Sequence, residues 1–72
     1  MAEIVDARGL SCPEPVLLTL EAIKKFGKGE IEILVDTDTS KENVSRAATS
    51  MGWQIIEIAE ETTGYRVRIK KE

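Results

Sequence analysis

Arg8-Gly9-Leu10-Ser11-Cys12-Pro13-Glu14-Pro15-Val16-Leu17 is the stretch on which the reading of the fold turns, and it contains both prolines and the single cysteine of the chain. Arg8-Gly9 breaks whatever regular structure precedes it. Pro13 suits the first position of a helix, where its missing N–H costs nothing and its ring already holds a helical φ. Pro15 still falls inside the first turn, so it removes no intrahelical hydrogen bond either. Residues 13–26 therefore read as a helix, and Cys12 takes the N-cap position in front of it.

Working outward, Glu3 to Ala7 reads as a short first strand. Within the helix, Val16, Leu20 and Ile23 share a face at i, i+4, i+7 spacing, flanked by Leu17 and Phe26, while Glu21, Lys24 and Lys25 point away. Leu18 falls outside that stripe, which makes it either an ordinary exposed leucine or a docking contact. Gly27-Lys28-Gly29 supplies the C-terminal stop. Glu30 to Val35 is a strand with Ile31, Ile33 and Val35 on one side and Glu32 and Leu34 on the other.

Asp36-Thr37-Asp38 reads as a turn. Thr39-Ser40-Lys41-Glu42 fits a capping box with Thr39 as the cap. Val44, Ala47, Ala48 and Met51 then form the narrow stripe of a second helix that Gly52 ends. Trp53 to Glu60, with Ile55, Ile56 and Ile58, is a third strand whose inward face is ambiguous, because either parity buries something apolar. Glu61-Thr62-Thr63-Gly64 is a hairpin connection. In the last strand Tyr65, Val67 and Ile69 alternate with Arg66, Arg68 and Lys70.

The order is βαβαββ. Each strand-helix-strand unit demands parallel pairing through a right-handed crossover, which puts both helices on one face of the sheet. The expected fold is an α/β (α+β) two-layer sandwich with a mixed four-stranded sheet in the order 1-2-4-3, built as a single domain over residues 1–72. The open face would carry Glu32, Glu57, Arg66 and Arg68. That is either a solvated surface of cross-strand charge pairs or a partner platform, although the aromatic residues that RNA platforms use are lacking.

Composition narrows the chemistry. A chain of 72 residues buries only roughly 60% of its unfolded surface, so one exposed site on a small body is the ceiling. There is no histidine and one cysteine, which excludes Cys/His zinc sites, Ser-His or Cys-His pairs and an internal disulfide. No metal or cofactor is expected, and Asp36 and Asp38 read as turn residues. The formal charge of −3 argues against a binder that relies on bulk attraction to phosphate, so direct nucleic-acid binding is not expected. No signal peptide or bilayer-spanning run is visible, and the unpaired thiol suits a reducing, cytoplasmic setting.

The chemistry that remains sits at Cys12. At a helix start, unpartnered N–H groups and the helix dipole favour a thiolate over a thiol, and Arg8 adds a positive charge nearby. The opposing reading is an inert, buried core cysteine. On residue physics alone both stand. If Cys12 is reactive, it has no partner base and no second cysteine to resolve a disulfide. It would accept a group and hand it on, as a carrier rather than a self-contained catalyst.

Asp6-Ala7-Arg8-Gly9-Leu10-Ser11-Cys12-Pro13-Glu14-Pro15-Val16-Leu17 resembles the signature of the TusA/SirA/YedF family of small sulfur-carrier proteins, with its Cys-Pro-x-Pro core. The likeness extends through the Asp38 turn, the Gly52 junction and the final hairpin. It implies a two-layer sandwich whose cysteine accepts a persulfide from a cysteine desulfurase or other sulfur donor and relays it to an acceptor protein. The destinations it implies are tRNA thiolation, cofactor synthesis or sulfur metabolism. By position, the persulfide acceptor would be Cys12, with Asp6, Arg8, Gly9, Pro13, Glu14 and Pro15 as the supporting motif. A selenium pathway, or a regulatory or nucleic-acid-binding module of the same fold, is the competing reading.

Overall fold

The computed structural model of the protein describes residues 3–10, 14–62 and 64–72. Six elements follow one another: β1 (Glu3–Asp6), α1 (Glu14–Phe26), β2 (Gly29–Val35), α2 (Asp38–Ser50), β3 (Gln54–Glu61) and β4 (Gly64–Lys71). β1 and β2 are parallel, β4 runs antiparallel to both β2 and β3, and the sheet order is β1-β2-β4-β3. Both helices pack against the sheet and against each other. This is the expected mixed α+β sandwich.

The core is the layer between sheet and helices. Ile31, Ile33 and Val35 of β2 and Val67 and Ile69 of β4 are fully buried, and β2 and β4 set them face to face in register as Ile31–Ile69 and Ile33–Val67. These β-branched residues suit a pleated surface buried on one side. Val44 and Ala48 of α2 and Ala22 and Ile23 of α1 close the layer from above, with Ala7 and Trp53 at its ends. Small residues on α2 let that helix lie close to the sheet.

The apolar face of α1 differs from the spacing-based expectation. Its buried residues are Pro15, Thr19, Ala22 and Ile23, whereas Val16 and Leu20 are only half-buried. Leu18, expected outside the stripe, packs against the core, and Leu17, expected to flank it, is the exposed one. The reason is Thr19. Its hydroxyl donates to the Pro15 carbonyl at 2.9 Å, so a residue that reads as polar is satisfied within its own helix and can occupy the centre of the buried face.

The start of α2 is also shifted. The cap is Thr37, in extended conformation, whose side chain accepts from the Ser40 amide at 3.0 Å. Thr39 and Glu42 lie within the helix and do not form the expected capping box. Extending the helix to Asp38 places an acidic side chain in the first turn, where the helix dipole favours it.

A bulge removes the ambiguity of β3. Ile55 pairs with Ile69 and Ile58 with Val67, so both lie on the same face of the sheet as these core residues although three residues apart, Ile55 packed against the core and Ile58 left exposed on the edge strand. Regular alternation forbids that spacing; the extra residue, Ile56, sits at the register shift and absorbs it. Glu57 is thereby turned toward Arg68 on the open face.

Among the described residues no helix is long and apolar enough to cross a membrane.

Candidate functional site

Because α1 and α2 both begin where the parallel strands β1 and β2 finish, the loops after the two strands share one end of the sheet. In open α/β arrangements that end is where sites form. The loop after β1 leads to Cys12, and its route is set by two carboxylates.

The first is Asp6, the last residue of β1. Its Oδ1 accepts from the Arg8 amide at 3.1 Å and from Arg8 Nε at 3.0 Å, and its Oδ2 accepts from an Arg8 terminal nitrogen at 2.9 Å. This fork fits the planar guanidinium to both carboxylate oxygens. The hydrogen bonds from Arg8 hold the Asp6 carboxyl at about 2, against an ordinary 3.8, and Asp6 in turn raises the Arg8 guanidinium. Arg8 is thus committed to Asp6 and shapes the turn. Between them the Ala7 amide donates to the Leu34 carbonyl at 2.8 Å, carrying the sheet one bond further.

The second carboxylate is Asp36, immediately beyond β2. Its Oδ2 accepts from the Gly9 amide at 2.7 Å, and Gly9 has φ +79°. That left-handed backbone is available to glycine at no steric cost. Successive amides of the loop, Arg8 and Gly9, are therefore each held by a carboxylate. Asp36 read as a turn residue in the sequence. The signal that marks it is topological: the ends of β1 and β2 must meet in a βαβ unit.

Ser11, Cys12 and Pro13 lie outside the described residues, so the expected N-cap thiol and the helix-starting proline carry no structural description here. The chain is described again from Glu14, exposed at the start of α1, and Pro15, fully buried beneath it. Asp6 and Arg8 are thus brought together, with Gly9 beside them, before Cys12 in the chain, and Glu14 and Pro15 follow it in the first turn of α1.

Next to Asp36 stands a second polar group. Asp38 pairs with Lys41 at 3.0 Å, and Lys41 Nζ lies 4.6 Å above the centre of the Tyr65 ring. Hydrogen bonds from Lys41 and from the Tyr65 hydroxyl lower the Asp38 carboxyl, while the same contacts raise Lys41 and Tyr65. Among the described residues no group of three or more acidic or sulfur ligands is placed to hold a metal ion.

The open sheet face takes the charge-pair form. Arg68 meets Glu57 at 3.0 Å, Glu30 at 3.2 Å and Glu32 at 3.4 Å, and Arg66 meets Glu61 at 2.9 Å. Elsewhere, exposed Leu17 and Met51 line a groove between the helices with Leu20, Glu21 and Lys24.

The sequence profile of the family described as Sulfurtransferase TusA matches residues 3–71. The chain belongs to the TusA family. It is 30% identical over 70 residues to the sulfur carrier protein TusA of Pseudomonas aeruginosa, covering 96% of this chain and 89% of that one. A Methanocaldococcus jannaschii protein that its name places with the sulfur carriers is 38% identical over 69 residues, covering 93% and 91%. The crystal structure of a SirA-like protein from Desulfitobacterium hafniense superposes with a TM-score of 0.86 at 36% identity, over 97% of this chain and 96% of the other. As a TusA-family chain, it presents the Asp6–Arg8 fork and the Gly9–Asp36 tie immediately before its one cysteine.

Proposed function

We propose that this TusA-family protein is a sulfur carrier in which Cys12 accepts a persulfide sulfur and delivers it to another protein. The observation that carries the reading is the family match over residues 3–71, a span that includes the chain's single cysteine. The chemistry fits a relay. The Cys12 thiolate attacks the terminal sulfur of a donor persulfide; the donor's S–S bond breaks as the Cys12 S–S bond forms, and the donor leaves as a thiolate. The sulfur keeps its oxidation state and no external oxidant enters. Delivery repeats the exchange with Cys12 as the leaving thiolate.

A helix start favours both anions, the thiolate before loading and the persulfide after it. With no histidine in the chain, activation rests on this electrostatic setting and on the partner proteins. The donor would be a cysteine desulfurase or equivalent persulfide enzyme, and the acceptor a protein of a thiolation or sulfur-transfer route such as tRNA thiolation. A thiol that works in its reduced form suits the cytoplasm. The arginines of the open sheet face are engaged by glutamates, which counts against a nucleic-acid platform there.

Intact mass measured after incubation with a cysteine desulfurase and free cysteine tests the reading. One added sulfur, removed by reductant and missing in Cys12→Ser, is expected. No gain in the native chain, or the same gain in Cys12→Ser, rejects it. Substituting selenocysteine for cysteine in the same assay separates sulfur from selenium handling.

A further inference from the structure

We infer that Asp36, outside the cysteine motif, is a positioning residue for the sulfur-accepting loop: its carboxylate anchors the Gly9 amide, three residues before Cys12 in the chain. The inference rests on the reading of Cys12 as the acceptor.

The anchor joins segments 27 residues apart at 2.7 Å. Asp36 sits between a buried strand end and a helix cap. Val35 before it is fully buried and paired with Tyr65, and Thr37 after it caps α2. Gly64 presses on this junction from β4: a β carbon there would overlap the Val35 carbonyl oxygen and lie 2.7 Å from the Asp36 Cα. The junction is thus backed by the hairpin strand. Gly9 supplies the matching half. No neighbour lies within 4 Å of the place a β carbon would take, so its glycine answers to the +79° backbone angle rather than to lack of space.

Asp6 alone does not do this work, because it closes the turn onto Arg8 within its own loop. Asp36 ties that closed turn to the body of the protein. Position matters because the benefit of a helix start to a thiolate fades beyond the first turn. Positioning and charge predict opposite signs. A carboxylate acting only by its charge would disfavour the thiolate, so its removal would make Cys12 reactive at lower pH. Loss of an anchor moves reactivity to higher pH.

The test compares the native full-length chain with Asp36→Ala and Asp36→Asn, following iodoacetamide alkylation of Cys12 against pH and sulfur uptake from a desulfurase by intact mass. Asp36→Ala is expected to raise the pH at which Cys12 becomes reactive and to slow uptake about tenfold, the low end for one lost charge-assisted hydrogen bond. Asp36→Asn retains an oxygen for the Gly9 amide and is expected to stay near native. An unchanged or lowered reactive pH in Asp36→Ala, or an equal change in both variants, overturns the inference. So does free exchange of the Gly9 amide in the native chain, a measurement that needs no variant. Sulfur uptake that survives Cys12→Ser rejects the acceptor reading instead, whereas native uptake unaffected by Asp36→Ala rejects only the role of Asp36.

Discussion

Gly64, the first residue of β4, is backed so closely on Val35 of β2 that no β carbon fits between it and the Val35 carbonyl. The contact is backbone against backbone, so neighbouring side chains have no means of yielding. Gly64 also holds φ +148°, a conformation L side chains rarely adopt.

Gly64→Ala is therefore expected to destabilise the fold by about 2–4 kcal/mol, combining backbone strain with displacement of the strand start. Urea denaturation followed by circular dichroism measures it. A loss under about 0.5 kcal/mol, the scale of an ordinary surface change, would contradict the close approach.

The Asp6–Arg8 fork makes an acid-side prediction. Asp6 is held at about 2 in the folded protein, below its ordinary 3.8. A carboxyl depressed on folding contributes stability that is complete above the unfolded value and lost as pH falls from about 4 toward 2. An NMR titration of the Asp6 carboxyl is expected to show a midpoint near 2, returning toward the ordinary value in Arg8→Gln. An ordinary midpoint in the native chain would show that the fork does not persist in solution.

The position of the α2 cap separates two threonines. Thr37→Ala is expected to cost about 1 kcal/mol, because the Ser40 amide loses its acceptor. Thr39→Ala, inside the first turn and exposed, is expected to stay within about 0.5 kcal/mol of native. Thermal melts of the two variants decide the matter, and the reverse ranking would restore the later cap.

On the open face, Arg68 faces Glu30, Glu32 and Glu57. Arg68→Met leaves three carboxylates together without their cation. The melting temperature is expected to fall at low ionic strength, and the deficit to shrink in about 1 M salt, where repulsion among the carboxylates is screened. An equal deficit at both ionic strengths would mean that packing of the arginine stem, rather than its charge, matters here.

Leu18 and Leu17 test the corrected helix face. Leu18→Ala is expected to cost about 2 kcal/mol, at the low end for a leucine because it is only partly buried. Leu17→Ala should cost much less, since its side chain already faces water. Similar losses for both, read by urea denaturation, would contradict the assignment.

Much of this was legible in the chain. Two proline-started or glycine-stopped helices between β-branched runs, closed by an alternating hairpin, leave few topologies, and right-handed crossovers reduce them to the order β1-β2-β4-β3 that is observed. Asp6, Arg8 and Gly9 were identifiable as a group because they are neighbours in the chain, and neighbours can form a turn without help from elsewhere. Local signals misled where a longer-range gain outweighed them. Thr19 looked polar and proved central to the buried face of α1, and regular alternation could not choose a face for β3 because the choice belongs to the bulge at Ile56.

Asp36 belongs to the other category. Nothing within its own segment distinguishes it from a turn aspartate, and the sequence by itself determined only that a strand ends there. Its meeting with Gly9 exists because parallel pairing brings the ends of β1 and β2 together and because Gly64 backs the junction from a third strand. The identity of the candidate acceptor, a single cysteine before a proline-rich helix start, is a property of the chain. Which carboxylate anchors the loop that leads to it is a contact between residues 27 positions apart, and only the tertiary fold can create that.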